Sequence, residues 1–223
     1  MNRHLRYFVP GLLFTMLLVT NTSAQWNVAR FESNPNRIYA TFGLDPAFFP
    51  AVGYGRVVSV FGHRVQVAVD AGFVAAEMDT QDVRARLHLL TSIVKWRSLH
   101  LTGSTAFIAR GTDNSIYRGY NFGADLTGAL GVYRSGWFLA AEFGIDKGGV
   151  THITNSDWYR TYFYPDAQDG WYRDPGGTIH YGLSAGITVG RAELLARYGQ
   201  LRTEKFNDLT PPMYVSIGLG FTF

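Results

Sequence analysis

The sequence predicts an all-β chain that folds as a single antiparallel up-and-down β-barrel of about ten strands and crosses a membrane. Apolar residues alternate with small or polar residues in segment after segment, which is the period of a β-strand and not of a helix. The segments have a nearly uniform length, and the connections between them alternate between short and long. A membrane barrel has these features, because its strands have one lipid face and one lumen face.

The first element is a segment typical of a secretory signal peptide. Arg3, His4 and Arg6 precede an apolar run over residues 7–19, and small or polar residues then lead to Ala24. The run is shorter than the roughly 20 apolar residues that a membrane-spanning helix requires. We therefore expect cleavage after Ala24, which makes residues 1–24 the signal peptide and residues 25–36 a short polar leader.

Composition excludes several classes of protein. The chain has no cysteine, so it has no disulfide, no thiol nucleophile and no thiolate metal site. Of its 20 Lys and Arg and 17 Asp and Glu, Arg3 and Arg6 belong to the predicted signal, so the remainder is almost neutral. A nearly neutral chain gives no indication of nucleic-acid binding.

Ten segments have the period of a strand and about the 9 to 11 residues that cross a bilayer. They are residues 37–44, 51–61, 64–76, 83–94, 99–110, 121–133, 137–146, 178–189, 192–203 and 213–223. The long connections are 45–50, 77–82, 111–120, 147–177 and 204–212, and short turns join the other neighbours. Eight strands also fit the pattern if the first two segments do not both belong to the wall.

The last segment alternates without interruption. Met213, Val215, Ile217, Leu219, Phe221 and Phe223 share one face, and Tyr214, Ser216, Gly218, Gly220 and Thr222 share the other. This pattern resembles the closing strand of bacterial outer-membrane β-barrel proteins, in which alternating apolar residues and a final Phe are recognised by the barrel assembly machinery.

The resemblance implies where the chain resides and what surrounds it. It implies a Gram-negative outer membrane, with residues 37–223 as the barrel, residues 25–36 as a periplasmic leader and the long loop 147–177 outside the cell. Lipid, lipopolysaccharide and the assembly machinery are the implied partners, and Phe221 and Phe223 form the assembly signal. We expect a monomer with an even number of strands.

A soluble secreted β-sandwich is the main structural alternative. Its strands also alternate, because one face lies in the core and the other in water. It does not account for the uniform strand length, the alternation of short and long loops, or the final Phe.

Charged residues occupy only one of the two faces in most segments. The predicted lumen charges are Asp70, Arg84, Arg86, Arg110, Asp125, Glu142, Glu193 and Arg197. In a narrow barrel such groups are expected to form ion pairs that brace the wall, or alternatively to line a narrow gated channel. Arg56 instead shares a face with Val52, Tyr54 and Val58, which predicts a bulge near residues 53–56 or a position at the outer membrane interface.

The long loop 147–177 is the predicted site of function. Its aromatic residues include the candidate ligand-binding side chains Trp158, Tyr159, Tyr162, Tyr164, Trp171 and Tyr172, with Phe163 and several Asp residues among them. Aromatic rings and carboxylates suit recognition of sugars, peptides or a partner surface. The alternative is a packed lid or an extended hairpin whose rings join the outer aromatic girdle.

Catalysis and metal binding have weaker signals. His152, Ser156 and Asp157 lie close together in the long loop, and Asp79, Asp82 and Asp113 lie in other loops, so a hydrolase or acyltransferase at the rim is a third hypothesis. The six His residues show no ligand spacing, and we expect neither a metal nor a cofactor. A structural or surface-binding role is favoured over an enzymatic one, and a narrow channel is the second hypothesis.

Overall fold

A computed structural model describes residues 25–44, 48–74, 82–173, 176–203 and 212–223. The predicted signal peptide, residues 1–24, lies outside the described residues, as does Asp79 with most of the connections predicted at 77–82 and 204–212. The strands are β1 (Asn36–Leu44), β2 (Phe48–Val60), β3 (His63–Phe73), β4 (Val83–Trp96), β5 (Leu99–Asp113), β6 (Tyr117–Arg134), β7 (Trp137–Asn155), β8 (Gly170–Arg173), β9 (Gly177–Val189), β10 (Ala192–Thr203) and β11 (Met213–Thr222).

Ten of these strands close into an antiparallel β-barrel, as predicted. Each strand pairs with its neighbour in sequence, except that β9 follows β7 in the wall and β1 closes the ring against β11. β8 is not part of the wall, because it pairs with the part of β7 that lies beyond β9. Closure gives every wall strand two hydrogen-bonded partners and removes the exposed edges of an open sheet.

The two ends of the barrel differ. At one end, here named the turn end, tight turns at Phe61-Gly62, Arg97-Ser98, Ser135-Gly136 and Gly190-Arg191 join successive strands. Phe61 and Gly62 both have positive φ, as a two-residue hairpin turn of the primed type requires. The start of β1 and the end of β11 also lie at the turn end, and the opposite end of the barrel, which has the end of β1 and the start of β11, is here named the loop end.

Burial follows the predicted alternation along the strands. In β11, Tyr214, Ser216 and Thr222 are buried, whereas Met213, Ile217, Leu219 and their neighbours on the outer face are exposed. Exposed apolar side chains cover the outer face on the other wall strands as well, with Val52, Val69, Leu87, Phe107, Leu130 and Leu139 among them. The outside of the barrel is therefore apolar and its inside is mostly polar.

The leader segment lies inside the lumen at the turn end. Trp26, Val28 and Phe31 are buried there, and Trp26 packs on Tyr39 with ring centroids 5.1 Å apart. The backbone N–H of Asn27 donates to Glu193, and the Asn27 side chain donates to the carbonyl of Arg134. Residues 25–34 therefore plug the turn end of the barrel.

Several strands continue beyond their predicted limits. β2 begins at Phe48, so residues 48–50 of the predicted connection 45–50 are strand. Most of the predicted loop 111–120 is also strand, since β5 ends at Asp113 and β6 begins at Tyr117, with the Asn114 side chain accepting from the backbone N–H groups of Ile116 and Tyr117 in the turn. Pairing in these regions continues past the apolar band, where the hydrophobic pattern gives no signal.

The loop predicted over residues 147–177 is mostly an ordered hairpin. β7 extends to Asn155, and the helix α1 (Asp157–Tyr162) and the strand β8 follow. Gly149 is an extra residue opposite the step from Phe122 to Gly123, and this bulge reverses which face of β7 points into the lumen. This region is therefore an extended hairpin, which is one of the alternatives that the sequence leaves open.

Of the two alternatives predicted for Arg56, a bulge or a position at the outer membrane interface, the bulge does not occur. The registers of β2 with β1 and β3 run without a shift through Gly53, Tyr54 and Arg56. Arg56 points outward and pairs with Asn36, the first residue of β1, which places it toward the turn end. The bulges lie instead at Ile93 in β4 and at Gly149 in β7. Among the described residues, no helix is both long and apolar enough to span a membrane.

Candidate functional site

The predicted lumen charges lie on the inward faces of different strands, and several of them form ion pairs with one another. Seven of the eight predicted residues are buried and Arg110 is partly buried. Two further charged residues, Arg37 and Asp146, point into the lumen with them. The lumen of the described barrel thus contains five basic residues, Arg37, Arg84, Arg86, Arg110 and Arg197, and five acidic residues, Asp70, Asp125, Glu142, Asp146 and Glu193.

The Glu142 carboxylate is the centre of one cluster. Arg197 Nη2 donates to Glu142 Oε1 at 2.5 Å, and Arg197 Nε donates to Oε2 at 3.2 Å. The Tyr214 hydroxyl donates to the same carboxylate, and the Arg197 guanidinium lies 5.4 Å from the Tyr214 ring centroid. Such a fork of hydrogen bonds from a planar guanidinium fixes the geometry of both partners. Three strands, β7, β10 and β11, are thereby joined across the lumen.

The Asp70 carboxylate is the centre of a second cluster. Arg86, directly opposite in register, donates through Nε to Oδ1 at 2.7 Å and through Nη2 to Oδ2 at 3.1 Å. His88 Nε2 lies 2.7 Å from Oδ2, and the Tyr39 hydroxyl donates to the same oxygen at 3.1 Å. Since Tyr39 is on β1, this cluster joins β1, β3 and β4.

Two more ion pairs lie nearer the two ends of the lumen, and one of them also contacts the plug. Arg37 donates to Glu193 at 2.8 Å, and Glu193 also accepts from the backbone of the plug segment at Asn27. Arg110 donates to Asp146 at 2.9 Å and to Asn121 at 3.3 Å. These contacts reach from β1 to β10 at the turn end and from β5 to β7 nearer the loop end.

Asp125 and Arg84 complete the lumen set. Asp125 lies opposite Asp146 in register and accepts from the Thr127 hydroxyl, and His180 Nδ1 is 3.7 Å from its second oxygen. Arg84 lies over the Phe49 ring, 3.8 Å from its centroid. Every predicted lumen charge therefore contacts other side chains inside the barrel.

The hairpin at the loop end is held by its own polar contacts. Ser156 caps α1 by accepting from the backbone N–H of Tyr159, and its hydroxyl donates to the carbonyl of Ser115. Arg160 pairs with Asp169 at 2.6 Å, and Asp169 also accepts from the backbone N–H of Asn155. These donors, with the backbone N–H first, hold the pKa of Asp169 below its usual value.

The predicted ligand-binding aromatics divide into two groups. Trp158, Tyr162, Phe163 and Tyr164 lie at α1 and are exposed, and the ring of Trp158 contacts both Tyr162 and Phe163. These four residues are here named the tip cluster. Tyr159 of the same helix is buried, and burial raises its pKa.

Trp171 and Tyr172 lie away from the tip cluster on β8. Trp171 packs on His152 and stacks on Phe122, with ring centroids 5.0 and 6.4 Å apart, so it continues the outer face of the barrel. The Tyr172 hydroxyl donates to the carbonyl of Gln168 within the hairpin. The six candidate residues therefore do not form one surface.

The candidate rim residues for catalysis are not brought together. His152 contacts Trp171, Ser156 caps α1, and Asp157 is fully exposed near Arg160. Asp113 is paired with Arg118 at 2.6 Å, and Asp82 lies beside a cavity of about 140 Å³ at the loop end with Arg84 and Arg110. Among the described residues, no group of three or more His, Asp or Glu has a geometry for a metal ion.

The structure adds residues that were missed in the sequence. Arg37 is the first residue of the predicted segment 37–44, and Asp146 is the last residue of the predicted segment 137–146. Continuing the alternation to the ends of these segments places both side chains on the lumen face. Tyr39 has the same signal, but tyrosine also suits a lipid face. Tyr214 shares the predicted polar face of the last segment with Ser216 and Thr222, and what the structure adds is its hydrogen bond to Glu142. No signal in the sequence indicated the plug formed by residues 25–34.

No family model matches the chain, and no curated protein matches it.

The Arg197 cluster makes a prediction about stability. Replacing Arg197 with Met leaves the Glu142 carboxylate buried without its cation, and we expect the free energy of unfolding to fall by about 3–5 kcal/mol. The double variant Glu142→Leu/Arg197→Met removes both charges and should recover most of that loss. Urea unfolding of the refolded chain measures both values.

Arg118→Gln is the matched control, because Arg118 and Asp113 form an exposed pair at the loop end. Exposed pairs contribute about 0–1 kcal/mol, so this variant should unfold close to the wild type. Equal losses for Arg197→Met and Arg118→Gln would contradict a bracing role for the lumen pairs.

Proposed function

We propose that the chain is an integral β-barrel of a bacterial outer membrane, with a structural role and a surface-binding role that resides in the hairpin at the loop end. The observation that carries this proposal is the reversal of polarity in the closed barrel: exposed apolar side chains surround it, and charged side chains fill it. A barrel in water would expose its polar face and bury its apolar face. Lipid is the surrounding in which this arrangement is stable.

Aromatic side chains at both margins of the apolar face support the same proposal. Trp96 and Trp137 are exposed at the turn end, and Tyr120 and Trp171 are exposed toward the loop end. Membrane barrels have girdles of aromatic residues at the two interfaces, where a ring with a polar edge is favourable. With the turn end toward the periplasm, the hairpin extends outside the cell.

The tip cluster supports a binding role. Trp158, Tyr162 and Phe163 are exposed on a helix that is anchored by Ser156, Arg160 and Asp169. Exposed aromatic residues on an ordered support lose little conformational entropy on binding, and they are frequent in recognition surfaces. Asp157 and Asp166 beside them offer hydrogen-bond acceptors, so oligosaccharides and peptides are the ligand classes that we propose.

A narrow gated channel is the second candidate, because ten charged groups line the lumen. The lumen pairs and the plug of residues 25–34 act against conduction, since an ion would have to displace paired groups. The plug would be the gate in that case. The rim enzyme receives no support from the positions of His152, Ser156 and Asp157.

The membrane proposal predicts a cost for charge that depends on depth. Ile217 is exposed on the outer face near the middle of β11, and Met213 is exposed on the same face at its loop end. In lipid vesicles, Ile217→Arg should lower the free energy of unfolding by about 2–4 kcal/mol, and Met213→Arg by about 0–1 kcal/mol. A loss below about 0.5 kcal/mol for Ile217→Arg, as for a surface site in water, would contradict insertion.

The recognition proposal predicts that binding depends on the tip cluster and folding does not. The variant Trp158→Ala/Tyr162→Ala/Phe163→Ala should fold into the same heat-modifiable barrel and lose binding on an array of immobilised oligosaccharides and peptides. Tyr120→Ala, which removes an exposed ring of the outer face, is the control and should bind as the wild type does. Binding that is equal in the triple variant, or absent in the wild type, would contradict the proposal.

A further inference from the structure

The charged side chains outside the lumen are distributed unevenly between the two ends. In the part of the chain that the structure describes, the loop end has five basic residues (Arg118, Lys147, Arg160, Arg173 and Arg202) and five acidic residues (Asp82, Asp113, Asp157, Asp166 and Asp169). The turn end has seven basic residues (Arg30, Arg56, Arg64, Lys95, Arg97, Arg134 and Arg191) and one acidic residue, Glu32. Among the described residues, the turn end is therefore strongly cationic, whereas the loop end has equal numbers of basic and acidic residues.

The basic residues of the turn end form a ring, because each tight turn contributes at least one. Arg64 follows the first turn, Arg97 lies in the second, Arg134 precedes the third and Arg191 lies in the fourth. None of these four arginines has a carboxylate of the described residues within ion-pairing distance. Glu193, the nearest acidic residue in sequence to Arg191, is buried in the lumen and bound to Arg37. The exposed guanidinium groups of the ring are therefore available to an external anion.

Aromatic side chains lie between the cations. The Arg97 guanidinium is 5.9 Å from the Trp96 ring centroid, and the Arg134 guanidinium is 5.8 Å from that of Trp137. Phe61 is completely exposed at the tip of the first turn, and its positive φ is unfavourable for a bulky residue. Exposed rings beside guanidinium groups suit the boundary between acyl chains and headgroups.

We propose that this ring binds the phosphate groups of anionic glycerophospholipids in the leaflet at the turn end. The inference rests on the proposed membrane insertion, which places the ring directly beside the apolar face and so at the level of the headgroups. Arginine offers several donors in one plane to phosphate oxygens, and the exposed rings contact the adjoining acyl chains. Such lipids would screen the repulsion among the cations and anchor the turn end at the interface.

The test uses Trp96 and Trp137, the two tryptophans that lie beside arginines of the ring. In a Trp158→Phe/Trp171→Phe background, the remaining tryptophans are Trp96, Trp137 and the buried Trp26. The full chain is reconstituted in two kinds of phosphatidylcholine vesicles. One contains phosphatidylglycerol that is brominated near the headgroup, and the other contains the same mole fraction of phosphatidylcholine brominated at the same position. We expect stronger quenching of fluorescence by brominated phosphatidylglycerol, and we expect the difference to shrink as salt is added.

The variant Arg97→Gln/Arg134→Gln/Arg191→Gln should reduce the preference for phosphatidylglycerol by at least about fivefold, which is the contribution of roughly one arginine at an anionic surface. The matched control is Lys147→Gln/Arg173→Gln/Arg202→Gln, which removes three cations at the loop end and should keep the preference. Equal loss in both triple variants would overturn the proposal. Equal quenching of the Trp158→Phe/Trp171→Phe chain, with its arginines intact, by the two brominated lipids would also overturn it.

The outcomes separate this proposal from the proposed membrane location. If neither brominated lipid quenches Trp96 and Trp137, the chain is not inserted and the membrane proposal fails. If both lipids quench equally, insertion stands and only lipid selection fails. Co-sedimentation of the chain with insoluble cell-wall polymer, in place of lipid preference, would assign the ring to a different anion and overturn the proposal.

Discussion

Closure of the sheet through the pairing of β1 with β11 is the constraint on which the rest of the structure depends. Once the ring is closed, each wall strand has one face toward the lumen and one face toward the surroundings, and a shift of a single residue would exchange them. The eight residue pairs between Arg37–Thr222 and Leu44–Val215 fix this phase for both strands. The separation of apolar and charged side chains follows from it around the whole barrel.

The closed lumen then limits which side chains are stable inside. A narrow barrel leaves room for side chains but little room for water, so a charge in it needs a partner. The five basic and five acidic lumen residues meet this need, with tyrosine hydroxyls at Asp70 and Glu142 as additional donors. At the turn end, Trp26, Val28 and Phe31 fill the space with apolar groups instead. The lumen is thus filled by two different means, an ion-pair network and a plug.

Sequence periodicity predicts the strands of the wall, because each of them has one apolar face and one mostly polar face. The alternation of residues 213–223 and of the earlier segments predicted the number of strands, their faces and the inward direction of Arg86, Glu142 and Arg197. It could not predict pairing beyond the apolar band, where Val150 and Ile153 lie on opposite faces of β7 among polar and small residues. A loop and an extended hairpin after Lys147 therefore both fit the sequence. The alternation also could not pair Arg197 with Glu142, since the partners of inward charges depend on register between distant strands. The plug was missed because residues 25–34 have no periodic pattern.

The most direct test of the closed barrel is a crosslink at its seam. Ala40 and Leu219 are register partners on the outer faces of β1 and β11, and the chain contains no cysteine of its own. The variant Ala40→Cys/Leu219→Cys should form an intramolecular disulfide on mild oxidation, whereas Ala40→Cys/Val215→Cys, displaced by four residues along β11, should not. Absence of the first crosslink in the folded chain, or equal crosslinking of both variants, would contradict the closed barrel and the separation of faces that depends on it.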